Sequence, residues 1–174
     1  MSTDDYDPPY AIARTPTEVA LYLDLTPCPD CGSDQADWRD RLTALDDEPV
    51  LIYTGNCADC GALREYVFSP PPGPSPGPFG GLEPSELIDA CQWLTAADRI
   101  AGQVAADDRS ESARTVMTIA RQAVEEVVKF IPPSEDAVPD EAFWTDAGRA
   151  ERALDPGRFR LDRLLVIRDS YASV

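Results

Sequence analysis

Cys28-Pro29-Asp30-Cys31-Gly32 and Cys57-Ala58-Asp59-Cys60-Gly61 are the two segments whose reading decides how this chain folds. They share one form, C-x-D-C-G, and 25 residues separate Cys31 from Cys57. Two residues between cysteines let both sulfurs of a tight turn reach one ion at about 2.3 Å, with turn N–H groups directed at the thiolates. Gly32 and Gly61 stand where the chain turns back over that ion, a positive-φ conformation that costs glycine nothing. The chain contains no histidine. The pattern therefore predicts a closed four-thiolate site, with Cys28, Cys31, Cys57 and Cys60 holding one structural zinc per chain.

Working outward, residues 63–68 lead out of the second cysteine pair and 50–54 lead into it, so this pair falls at the tip of a hairpin. Residues 38–45 give a third strand, joined to the second through the acidic turn Asp46-Asp47-Glu48-Pro49. Before the first pair, Thr15-Pro16-Thr17-Glu18 combines a Thr cap, proline at the first helical position and a glutamate three residues after the cap, predicting a short helix to about Leu25. A strand competes there, because Val19, Leu21, Leu23 and Leu25 also alternate. Residues 1–14 are polar and acidic and read as a flexible arm.

These β-hairpin knuckles resemble the zinc-ribbon class over residues 28–68. That resemblance implies a metal and a ribbon fold over those residues, without implying an activity; with the preceding short element, the zinc-ribbon unit is read as 15–69. The 25 intervening residues exceed the 15 to 20 of the short form, which a longer strand pair absorbs. An iron–sulfur centre or a redox dithiol is the rival chemistry, and two matched pairs argue against the dithiol. The fifth cysteine, Cys91, lies on an apolar helical face beside Trp93 and Leu94 and reads as a small buried hydrophobe.

Residues 70–81 are rich in proline and glycine and read as a linker, with a loop packed on the ribbon as the competing reading. Residues 82–174 then turn helical and predict a unit of three to four helices. One starts at Pro84-Ser85-Glu86 and ends near Gly102, the clearest spans 110–131, another runs from Asp140 to about Leu154, and the last covers 159–171. The expected fold class is thus α+β, a zinc-ribbon β unit followed by a helical unit. Trp38 and Trp93 are expected in the core, whereas Phe143 and Trp144, being adjacent on a helix, point to different faces.

The net charge is -17, and residues 1–69 hold 14 acidic against 4 basic side chains. A four-thiolate zinc adds about two further negative charges. A phosphate backbone would be repelled where a nucleic-acid binder offers Lys and Arg, so direct nucleic-acid binding through the ribbon is not expected. The natural complement is a basic protein, although solubility alone is the plainer reading of the charge. Asp46, Asp47 and Glu48 are candidate partner-binding residues at the hairpin tip. Without histidine, Ser-His and Cys-His systems are absent, and the clusters Asp46-Asp47-Glu48, Asp107-Asp108 and Glu135-Asp136 fall in turns, so no catalytic residue is assigned and an enzyme is not expected. Arg149, Arg152, Arg158, Arg160 and Arg163 concentrate basic charge, but acids interleave with them and they read as a solvated surface. No apolar run approaches the roughly 18 residues needed to cross a bilayer, and a cytoplasmic location is expected.

The reading these features support is a non-enzymatic acidic protein-binding factor. The doubled motif at Cys28 to Gly32 and Cys57 to Gly61 also resembles bacterial immunity proteins with paired C-x-x-C-G segments. That resemblance implies neutralisation of a basic toxin and carries over no toxin and no binding residue. The other expectation is a ribbon accessory in transcription or translation.

Overall fold

The computed structural model describes residues 8–172. Among them are α1 (Pro16–Leu25), β1 (Ala36–Leu45), β2 (Glu48–Cys57), β3 (Leu63–Phe68), α2 (Ala90–Ala101), α3 (Glu111–Val128), α4 (Asp146–Leu154) and α5 (Leu161–Tyr171), with 3-10 turns at Asp140–Ala142 and Pro156–Phe159. This is an α+β chain in which a three-stranded sheet precedes a run of helices. It divides into two compact units, with the boundary between Gly81 and Leu82.

In the first unit the Thr15 cap decides the contest between helix and strand. Its Oγ1 accepts the Glu18 N–H at 3.0 Å, with Pro16 in the first turn. The reciprocal half of the expected capping box does not form. Glu18 accepts instead from the Arg14 backbone N–H (2.9 Å), Nε (2.9 Å) and Nη2 (2.6 Å). Both side chains are buried, and the fork geometry of the guanidinium offsets the cost of taking a carboxylate out of water.

That pair also organises residues 70–81. Ser75 Oγ donates to the Arg14 carbonyl (2.8 Å), Thr15 Oγ1 donates to the Pro78 carbonyl (2.7 Å), and Phe79 is buried. Gly80 has φ +149°, and a Cβ there would lie 2.6 Å from Arg14 Cζ. The segment carries no helix or strand and packs within the first unit; prolines supply carbonyl acceptors there without N–H groups that need partners. Of the residues expected as an arm, 1–7 lie outside the described residues. At the other end of that stretch, Ala13 N–H donates to the Ser69 carbonyl (2.9 Å) and Ser69 N–H to the Ala11 carbonyl (3.0 Å).

The sheet is antiparallel in the order β1-β2-β3. Leu45 pairs with Glu48, so the first turn is the two residues Asp46 and Asp47, at φ 50° and 67°. Positive φ at both positions matches the right-handed twist of the strands, and Asp tolerates it better than most residues. On one face Tyr22 of α1 meets Tyr66 and Phe68 edge-on, with ring centroids 5.8 and 5.6 Å apart.

The second unit turns on Asp89. Helix α2 begins six residues later than Pro84, because Ser85 Oγ accepts from the N–H groups of Leu87 and Ile88 and makes a local turn instead. Asp89 caps the helix, its Oδ1 accepting the Gln92 N–H at 2.8 Å, while Gln92 returns a bond to the Asp89 N–H. Its Oδ2 accepts from Thr145 N–H (3.0 Å) and Thr145 Oγ1 (2.6 Å), and Thr145 Oγ1 in turn accepts the Gly148 N–H. The helix expected from Asp140 to Leu154 is therefore two pieces. The break sends Phe143 inward, 4.8 Å edge-on to Phe159, and leaves Trp144 half-exposed against Phe130. Helices α2 and α3 pack against each other, and Ala96, Ala97 and Trp93 of the first and Ala120 and Ala123 of the second are fully buried.

Asp89→Ala removes the α2 cap and leaves the Thr145 donors without their acceptor, so it should lower the unfolding free energy by about 3 kcal/mol, measured by chemical denaturation. Asn at this position restores only one acceptor oxygen and should fall between the two. A Cβ on Gly148 would collide with Asp89 Oδ2, so Gly148→Ala should destabilise as well, although alanine is the better helix former.

Candidate metal centre

Each cysteine segment folds as the same small knuckle. Gly32 N–H donates to the Cys28 carbonyl (2.8 Å) and Cys28 N–H to Ser33 (2.7 Å); in the second copy Gly61 N–H donates to Cys57 (2.9 Å) and Cys57 N–H to Ala62 (2.9 Å). Gly32 and Gly61 have φ 79° and 75°, as the reversal over the sulfurs requires. The second knuckle closes the β2–β3 hairpin. The first is brought to it by β1, since Ala36 pairs with Cys57 and Ala58 N–H donates to the Gln35 carbonyl (2.9 Å).

This register brings all four sulfurs together. The Sγ atoms of Cys28, Cys31, Cys57 and Cys60 lie within 4.8 Å of one another, with Cys28 to Cys60 at 3.7 Å and Cys31 to Cys57 at 3.5 Å. A tetrahedron with metal–sulfur bonds of about 2.3 Å has sulfur–sulfur edges of about 3.8 Å, so the cluster fits a four-coordinate ion. Cys28 and Cys57 are buried, whereas Cys31 and Cys60 face solvent. Backbone N–H groups of Cys60 and Asp59 donate to the Cys57 sulfur and hold its pKa at about 6. Cys31 is drawn down by the Ser33 N–H but is crowded by the thiols of Cys57, Cys60 and Cys28, which push it up to about 12. Four thiolates at this spacing repel one another, and a divalent cation at their centre removes that conflict. The donor set is one typical of zinc.

Residues outside the motif complete the centre. Asn56 Nδ2 donates to the Gly61 carbonyl (3.2 Å) and braces the second knuckle. In one row across the strands stand Trp38, Gly55 and Arg64. With no side chain at Gly55, the buried Arg64 guanidinium lies 4.7 Å from the Trp38 ring centroid. Its Nη2 donates to the carbonyl of Thr26, the cap of α1 two residues before Cys28, and thus sits at the negative end of that helix. Arg64 is absent from the cysteine pattern, but its alternation with Tyr66 and Phe68 in β3 signals that it faces the aromatic side. Trp38 is half-buried beside it, and Cys91 is a buried thiol in the second unit whose pKa burial raises. Asp46, Asp47 and Glu48 are exposed at the opposite end of the β1–β2 hairpin from Cys57.

The chain matches no family model, and neither curated proteins nor solved structures contain a match to it. Among the described residues no helix is long and apolar enough to cross a membrane.

Metal analysis of the purified protein should find about one divalent ion per chain, and Cys28→Ser or Cys57→Ser should lose it together with the circular-dichroism and hydrogen-exchange signature of the sheet. Full sheet protection in metal-free protein would contradict this. Arg64→Met keeps the stem but removes the charge at the α1 terminus; it should weaken metal retention against a chelator by about tenfold while leaving the stoichiometry unchanged.

Proposed function

We propose that this protein is a non-enzymatic binding factor, built around a structural zinc ion, that uses its acidic first unit to engage a basic protein. The observation that carries the reading is the four-sulfur cluster with both knuckles closed. Cys28, Cys31, Cys57 and Cys60 would take every tetrahedral position of the ion, and a closed site leaves no position for a water or substrate. Zinc there shapes and stabilises the sheet, and the remaining chemistry of the unit is its charge.

An acidic protein recognises by steering. The field of a chain at -17 raises the local concentration of a cationic surface and lowers that of nucleic acid. Neutralisation of a basic toxin, the role of an immunity or antitoxin protein, is the most concrete version, because covering a cationic substrate groove requires an acidic surface and no activity of its own. Asp46, Asp47 and Glu48 are the proposed contact: Asp46 and Asp47 form the two-residue turn and Glu48 opens β2, so the β1–β2 ladder fixes their backbone. A ribbon accessory in transcription or translation is the second reading, acting through a basic protein subunit. The cytoplasm, where thiols remain reduced, is the proposed compartment.

Affinity capture from a nuclease-treated lysate should recover a partner of basic net charge, and its association rate should fall as salt is raised. Lys substitution at Asp46, Asp47 and Glu48 together should slow association about tenfold with little change in dissociation. An on-rate indifferent to salt overturns electrostatic recognition, and an unchanged on-rate in the triple variant removes this turn as the contact. In a mobility-shift assay near roughly 100 mM salt, no salt-sensitive DNA or RNA binding should appear.

A further inference from the structure

The second unit contains a cavity of about 470 Å³ lined by Asp140, Phe143, Arg149, Arg152, Ala153 and Pro156. In a chain with more than twice as many acidic as basic side chains, two guanidiniums on one cavity need an explanation. Arg149 is held by the backbone: its Nη1 donates to the Trp144 carbonyl at 2.5 Å, and its Nη2 donates to Asp146 at 2.6 Å. Arg152 is held less completely. Its Nη1 donates to the Pro156 carbonyl (2.9 Å) and its guanidinium lies 5.6 Å from the Phe143 ring centroid. Its Nε is shielded from solvent and makes no hydrogen bond. The nearest acid, Asp140, places Oδ1 3.5 Å from that nitrogen, too far and too poorly aligned to accept from it.

We propose that this cavity binds a small carboxylate-bearing ligand through Arg152, with Arg149 adding positive potential, and that the Asp140 carboxylate is an intramolecular placeholder for the ligand's own. The Nε–Nη2 edge of a guanidinium is the fork that takes a planar carboxylate side-on, in two parallel hydrogen bonds. Asp140 approaches that edge without completing the pair, and its side chain is 91% exposed, so little holds it there. A ligand carboxylate that displaces it satisfies the Nε and frees Asp140 to water. The volume is that of a small-metabolite pocket. Polyanions are disfavoured, because the summed field of the chain repels extended negative charge, whereas a compact acid exchanges for the one carboxylate of Asp140. The Phe143 ring, 5.6 Å from the Arg152 guanidinium, contributes an apolar edge to the lining for the ligand's carbon body.

The test is calorimetric titration of the full chain with succinate and, separately, inorganic phosphate, at constant ionic strength set with chloride. Wild type should bind succinate saturably in the range up to about 20 mM, and more tightly than phosphate. Asp140→Asn, which removes the competing carboxylate, should tighten succinate at least threefold. Arg152→Gln should weaken it at least tenfold. Should that variant fold poorly, Ala153→Trp fills the cavity from an exposed position of α4 without touching an ion pair and should abolish binding. Arg163→Gln, a basic residue outside the cavity, should leave binding unchanged. No saturable binding in wild type or Asp140→Asn, no gain in Asp140→Asn, tighter binding of phosphate than succinate, wild-type affinity in Ala153→Trp, or an equal loss in Arg163→Gln would each overturn the proposal.

Discussion

The convergence of four sulfurs is the constraint on which the first unit depends. The two knuckles are far apart in sequence and have little apolar surface of their own, so their meeting must be arranged by a register. The ten-residue β1–β2 ladder does this: once Leu45 faces Glu48 across a two-residue turn, Ala36 must face Cys57. A slip of one residue would reverse every side chain on β1 and carry Trp38 away from Arg64 and Tyr66. Metal site and sheet thus specify each other, which is why binding free energy at such a centre is largely folding free energy.

Two buried carboxylates play the corresponding part elsewhere. Glu18 takes the Arg14 fork, beside which the Arg14 carbonyl and the Thr15 hydroxyl hold the proline-rich segment, while Asp89 caps α2 and positions the first turn of α4. A chain so rich in acids has no shortage of carboxylates on its surface. These two differ because each accepts several hydrogen bonds from groups that would otherwise be buried without partners. Their contribution is to specify which segments meet, more than to add net stability, since taking an ion out of water offsets much of its attraction to a partner.

Charge is unevenly divided along the chain. The acidic excess is concentrated in the first unit, around a centre whose thiolates add to it, whereas residues 140–174 carry 7 acids against 6 bases and place two guanidiniums on one cavity. The proposed attraction of a cationic protein and the proposed retention of a small anion are compatible in one chain, because the first would act through the long-range field and the second through short-range hydrogen bonds.

The sequence by itself determined the knuckles, the three strands and the α+β order, because each rests on local rules of turn spacing with glycine and of strand runs bounded by turns; at residues 15–25 it left helix and strand in contest, and the Thr15 cap decides for helix. Tertiary structure alone decided where Glu18 would send its carboxylate, because Arg14 in a packed segment offers three donors and the Thr15 N–H only one. It also decided that the expected 140–154 helix breaks, since the buried Asp89 accepts from Thr145 and no local pattern links residues 56 apart, whereas the start of α2 at Ala90 follows from the local bonds of Ser85 and of the Asp89–Gln92 cap. Arg64 and the Arg152 cavity belong to the same class. Their partners are a helix terminus, a ring and a carbonyl brought together by the fold, so identity in the sequence records the charge and the structure supplies what that charge faces.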